Sequence, residues 1–469
     1  GAAGSAQIGI IMQSCRSTLR LLTASSCQLG PPGARELLPH VVQHKRIAHL
    51  NLDNNDIGAA VGVELFRALA GIKYIVSLSV GGNRLNEKAA RALASMLAVR
   101  DNWVRLEVGN NPLGDSGVAA IAAAGLEKAT RLMTLDLMRV GMSHKGAVPL
   151  LRAVSQLPKL VNLNLKTNIL SSDKLASPLA SLFKRDSALR SLDLRHTKLS
   201  NKAVDALLTA INKGNVPLEQ LLLSHCTMDE KCGAKVPDTL QTLSSSLTSF
   251  SVAACGLKQS AVAATLRAAV VHSTRLATLD IADNELRGDE AEAALDTLLQ
   301  RSTSLASLDL SGCKLVATGY KALAAGLAHN AALHTLTLDG NGVGPNALTA
   351  IARALRGHKA LKTLSLRSCG ITTDGATRCL DKLKSNVPPN LKILDVGGNS
   401  KLDTIALQRA LKDMPRLAQL RLVTASPDGA TLRSKMGTLS PRGKKSSSSS
   451  SKSGKSNKSN TMMPKKSKM

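Results

Sequence analysis

One eight-residue phrase recurs along this chain at an almost constant interval. LDLSGCKL, starting at Leu308, is matched by LNLDNNDI from Leu50, LSVGGNRL from Leu78, LEVGNNPL from Leu106 and LDIADNEL from Leu279. The sixth residue of each phrase can be followed through Cys27, Asn55, Asn83, Asn111, Val140, Asn168, Thr197, Cys226, Cys255, Asn284, Cys313, Asn341, Cys369, Asn399 and Ala425. Twelve of the fourteen intervals are 28 or 29 residues. Such a beat makes each interval one structural unit that buries its apolar side against its neighbours. Composition agrees. With 1 Trp, 2 Tyr and 3 Phe in 469 residues, the apolar mass is aliphatic and small, which suits many thin layers better than one large core.

Within each phrase two leucines flank a single other residue, the alternation of a short strand with one side buried. The Asn then turns the chain, and its buried amide satisfies backbone groups that the turn leaves without partners. Cysteine is small, tolerates burial and carries a weak S–H donor, so it replaces Asn where one donation suffices. Five of the eight cysteines, Cys27, Cys226, Cys255, Cys313 and Cys369, fall at this position. Cys313 therefore reads as packing and not as a nucleophile or metal ligand.

The rest of each unit reads as helix. After Asn284, the residues Ala291, Ala294, Leu295, Leu298 and Leu299 share one helical face. Asp289 followed by Glu292 resembles a capping box at its start. Alternating strand and helix at this period predicts an α/β leucine-rich repeat solenoid, a horseshoe of about 15 units of 28–29 residues. A parallel sheet lines its concave face and helices cover its convex face. Residues 1–425 are assigned to the solenoid, the first unit being partial or capping.

The period and the full helix per unit resemble the ribonuclease-inhibitor subclass of these repeats. NNPLGDSGV from Asn110, MSHKGAVPLL from Met142, CGAKVPDTLQTLSSSL from Cys232 and LDIADNELRGD from Leu279 further resemble the repeat domain of the CARMIL family, linkers of capping protein and myosin-I. The Val-Pro and serine run after Cys232 interrupt a helix in one particular repeat. This resemblance implies a non-enzymatic scaffold with actin-regulatory protein partners. Ran GTPase-activating proteins share the subclass, and a GTPase regulator is the first alternative.

Candidate partner-binding residues lie where strand and loop side chains face the concave side. Arg139, Lys166, Arg195 and His196 make its centre basic, and Asp280, Asp283, Asp309 and Asp339 make the following stretch acidic. Asp280 beside Asp309 sets like charges on adjacent strands, about 4.8 Å apart. A basic protein partner is the expectation. Three glycines at Gly340, Gly342 and Gly344 only echo a nucleotide loop, since Asn341 between them is a ladder residue. His225, Cys226 and Cys232 lack the second pair of ligands that a zinc site needs. No catalytic residue, cofactor or small-molecule substrate is predicted.

The net charge is +28. Residues 426–469 hold eleven Lys or Arg and one acid, leaving +18 on the preceding 425 residues. That Ser- and Lys-rich tail is expected to be disordered and to attract anionic membrane or nucleic acid, the second alternative. No apolar run is long enough for a membrane span, and no basic segment precedes the N-terminal apolar patch as a signal peptide requires. A cytoplasmic, cytoskeleton-associated protein is expected. The tail suggests a nucleus as alternative, and the terminal Ser-Lys-Met resembles a peroxisomal address.

Overall fold

Fifteen three-residue strands form one sheet that runs from Leu21–Thr23 to Arg421–Val423, each strand paired in parallel with its neighbours in chain order. The computed structural model describes residues 2–406 except 16, 17, 45, 184–186, 215, 273, 357, 384–387 and 404, and also residues 421–423. The tail assigned to 426–469 lies outside the described residues. Register follows the repeat, with Leu50 opposite Leu78 and Leu279 opposite Leu308. These leucines are buried, and their strand neighbours face the concave side. One slip in register would turn the leucines outward, so the pattern fixes the stacking.

The rung residues act as the repeat demands. Asn83 donates Nδ2–H to the carbonyls of Leu52 and Val80, both at 2.9 Å, and its Oδ1 accepts the Asn55 N–H at 3.0 Å. Asn55, Asn111, Asn168, Asn284, Asn341 and Asn399 make the same double donation to their own unit and the preceding one. Each amide thereby ties two coils together. Cys255, Cys313 and Cys369 donate their thiols to the preceding unit, to Leu223 O, Ile281 O and Leu338 O at 3.3–3.4 Å. Cys226 does so more loosely, to Leu194 O at 3.6 Å. Burial pushes the Cys226 and Cys369 thiols up to about 11 and the Cys313 thiol up to about 12. A thiol so far from ionisation is a poor nucleophile at neutral pH.

Helices form the convex layer. Asn86 and Ser200 cap Glu87–Ala98 and Asn201–Lys213, accepting first-turn N–H groups. The helix Asp289–Arg301 buries the expected face of Ala291, Ala294, Leu295, Leu298 and Leu299, but the capping box is absent. Gly288 holds the cap position at φ +88° with no side-chain cap, because glycine alone turns the chain there without strain. Glu292 is instead buried and accepts from Thr318 Oγ1 of the next helix at 2.8 Å. The helix after Cys226 is broken as the Val-Pro step predicts, into Glu230–Gly233 and Val236–Thr242. A helix over Ala2–Ser14 precedes the first strand and buries Met12 against Gly30–Gln43.

Candidate functional site

The concave sheet brings the predicted residues onto one surface in two groups. In the centre, Arg195 is not a bare cation. Its guanidinium grips Asp193 of the same strand turn, with Nη2–H to Oδ2 at 2.6 Å and Nε–H to Oδ1 at 3.0 Å. That hydrogen bond raises the Arg195 pKa further, with Asp193 and Asp280 adding attraction. His196, exposed and at φ +57°, stacks its ring on His225 of the next unit with centroids 4.1 Å apart. Partial desolvation, then His225, Lys166 and Arg195, hold the His196 imidazole below its usual range. Lys166 is half-buried one unit earlier, and Arg139 is exposed two units earlier at φ +50°.

The acidic group begins three strands after Ser191–Asp193. Thr278–Asp280 pairs with Ser307–Asp309 so that Asp280 sits directly opposite Asp309. Asp280 accepts from Ser251 Oγ at 2.7 Å, and Ser251 also bonds Ser224. Asp309 accepts the Ser311 N–H at 2.9 Å and its hydroxyl at 2.6 Å. Burial raises the Asp309 carboxyl, and the charges of Asp280 and Asp339 raise it further. Asp339 accepts from Ser365 Oγ at 2.6 Å and from the Arg367 N–H at 2.8 Å. Asp283 is exposed at φ +53° beside this row.

The structure thus assembles Asp280, Asp309 and Asp339 into one acidic strip with Asp283 at its margin. It does not assemble an equally free basic strip, because Arg195 is spent on Asp193. Sequence reading missed that pairing, although the Asp-x-Arg spacing across a strand end was its signal. Asp136 instead accepts the Met138 N–H at 2.8 Å and Asn164 Nδ2–H at 2.9 Å, and burial raises its carboxyl, with Glu107 and Asp193 adding to the shift. His225, Cys226 and Cys232 diverge: the imidazole is exposed against His196 while both thiols are buried. Among the described residues no three metal-ligating side chains converge. Asn341, between the glycines of the loop-like stretch, is a buried rung. No helix among the described residues is long and apolar enough to cross a membrane.

Comparison with known proteins finds the same repeat. The family model described as Leucine Rich repeat matches residues 102–122 and 359–377. The chain is 30% identical over 154 residues to the ribonuclease inhibitor of Sus scrofa, covering 32% of each protein. It is 30% identical over 149 residues to NACHT, LRR and PYD domains-containing protein 13 of Homo sapiens, covering 31% of this chain and 14% of that one. The matched stretch thus spans less than a third of these relatives' lengths. Among solved structures, a chain in the yeast Rad7 and Elc1 complex is similar, with a TM-score of 0.49 and 14% identity over 90% of this chain and 93% of that chain.

Proposed function

We propose that this chain, a leucine-rich repeat protein of the ribonuclease-inhibitor type, is a non-enzymatic scaffold whose concave sheet docks a basic protein segment. The single observation that carries the reading is the row Asp280–Asp309–Asp339. Like charges directly opposite on adjacent strands destabilise a sheet, as Asp280 and Asp309 are, while Asp339 lies two residues beyond Thr337, the strand partner of Asp309. Serine hydroxyls and backbone N–H groups hold these carboxylates, with no ion-paired cation at Asp280, Asp309 or Asp339 among the described residues. A Lys- or Arg-bearing partner removes that repulsion on binding. With so few aromatics to serve as anchors, the contact is polar and its association rate falls with salt. The test is affinity capture with residues 1–425 and with the Asp280→Lys/Asp309→Lys variant. Loss of the captured partners supports the reading, and an unchanged set refutes it.

Actin regulation is the finer reading favoured by the broken helix over Glu230–Gly233 and Val236–Thr242, the repeat whose interruption carries the likeness to the capping-protein linkers. Co-sedimentation with filaments and with capping protein tests it. GTPase activation is the competing class, and GTP hydrolysis by a Ran-type GTPase, measured with and without the chain, decides between them. Binding through the basic tail rests on residues outside those described.

A further inference from the structure

The two edges of the solenoid carry different charge. Because all strands run parallel in chain order, every helix-to-strand connection lies on one edge and every strand-to-helix connection on the other. Among the described residues, the helix-to-strand connections hold thirteen Lys or Arg against three acids, Asp101, Glu127 and Glu219. The opposite connections hold ten against seven. Ion pairing widens the gap. On the balanced edge Arg84 meets Asp56 at 2.8 Å, while Lys258 and Lys314 share Glu285 at 3.4 and 3.6 Å. On the basic edge Arg190 meets Glu219 at 3.0 Å, but Lys73, Lys128, Arg131, Lys159, Lys359 and Lys392 are exposed with no ion pair among the described residues.

Helix dipoles account for only part of this. They favour cations in the last helical turn and fade beyond it, as at Arg67, Arg152 and Lys213. Arg20, Arg46, Arg131, Arg190, Lys362 and Lys392 lie past the helices, within three residues of a strand start. They serve neither capping nor the core.

The same edge exposes apolar side chains. Tyr74 is 55% exposed, Val99 62% and Val271 70%, each in or beside a helix end on this side. Tyr74 follows Lys73, and Val99 precedes Arg100, which is half-buried, stacks 4.4 Å above the Trp103 ring and donates to the Ile72 and Ile75 carbonyls. Unpaired cations interleaved with exposed apolar and aromatic groups match the bilayer interface, where headgroups meet the cations and the acyl boundary takes the apolar tips. A nucleic acid offers the charge but gives Val99 and Val271 nothing to enter, and the edge lacks a row of stacking aromatics.

We propose that this helix-to-strand edge is a docking surface for an anionic lipid bilayer, separate from the concave face and from the tail. The full chain is sedimented with vesicles of 30% phosphatidylserine in phosphatidylcholine and with pure phosphatidylcholine. Binding is expected to the anionic vesicles only and to weaken with salt. Lys73→Glu/Lys128→Glu/Arg131→Glu/Lys159→Glu lowers the partition coefficient at least about tenfold, since each cation near the surface contributes. Tyr74→Ser/Val99→Ser lowers it without changing the salt slope. The control Lys145→Glu/Lys174→Glu/Lys202→Glu/Lys231→Glu, equal in charge change and on exposed positions of the other edge, binds far more tightly than the edge variant. A chain lacking residues 426–469 retains edge-dependent binding. Equal loss in both charge variants, loss on tail deletion alone, or edge-dependent binding to a DNA duplex but not to vesicles overturns the proposal. Circular dichroism identifies any variant that fails to fold, and neutral Lys→Gln versions then replace it.

Discussion

From Asn55 to Asn111 the buried rungs are all asparagine, whereas from Thr197 to Cys255 none is. Both stretches stack equally regular strands, so the difference isolates what a rung must supply. Each Asn donates to two units and accepts from the unit before it, as Asn83 does from Asn55. In the other stretch donation persists, from Thr197 Oγ1 to Leu194 O and from Cys255 Sγ to Leu223 O, and Thr197 Oγ1 and Cys226 Sγ bond each other at 3.6 Å. The N–H that an amide oxygen would accept is satisfied locally, Cys226 N–H turning back to Leu223 O at 3.1 Å. Donation recurs in both stretches while acceptance gives way to a tighter turn, and Val140, a buried rung with neither, shows that a single unit can stack without either.

The sharpest way to break this comparison is to delete one rung of each kind. Asn83→Ala strands the Leu52 and Val80 carbonyls and the Asn55 N–H in a buried layer. It should cost about 3 kcal/mol or more, read from chemical denaturation with hydrogen exchange localising the loss to the flanking strands. Cys313→Ala removes one weak donor to Ile281 O and should cost about 1 kcal/mol. Asn83→Cys should fall between the two. If Cys313→Ala costs as much as Asn83→Ala, the thiol rung is doing more than donating, and the distinction fails.

The ladder was legible because its spacing is a property of the backbone, and a coil of fixed length leaves the sequence one position in 28 or 29 at which to turn. The buried helix face around Leu295 and Leu298 was legible for the same periodic reason. The capping box was not, because Asp289 and Glu292 satisfy the pattern locally while Gly288 and Thr318 decide the outcome through backbone angle and the next helix. Arg195 looked free because its partner Asp193 lies in the same strand turn, where sequence shows proximity but not direction. The basic edge escaped because its cations occupy connections of unequal length. They share no register, and only the helix ends reveal that they share an edge.

The comparison extends to the concave surface above these rungs, where the strand carboxylates Asp193 and Asp309 are held differently. Asp193 has the Arg195 guanidinium at 2.6 Å, while Asp309 has only Ser311 and two like charges nearby. Asp309→Asn keeps an oxygen for the Ser311 N–H and removes a repulsion worth about 0.5 kcal/mol, so it should raise stability slightly at pH 7. The sign follows from the raised carboxyl. The folded chain holds the Asp309 proton more firmly than the unfolded chain, so the native protein loses stability as pH rises from the ordinary carboxylate value through the raised one. The advantage of the Asp309→Asn variant is therefore fully present above the folded value, fades as pH falls from that value to the ordinary one, and is gone below it. Asp193→Asn should do the opposite at pH 7, since it takes the charged partner from Arg195. If both substitutions destabilise alike across the pH range, the acidic row is not under repulsion, and its claim to await a basic partner loses its physical basis.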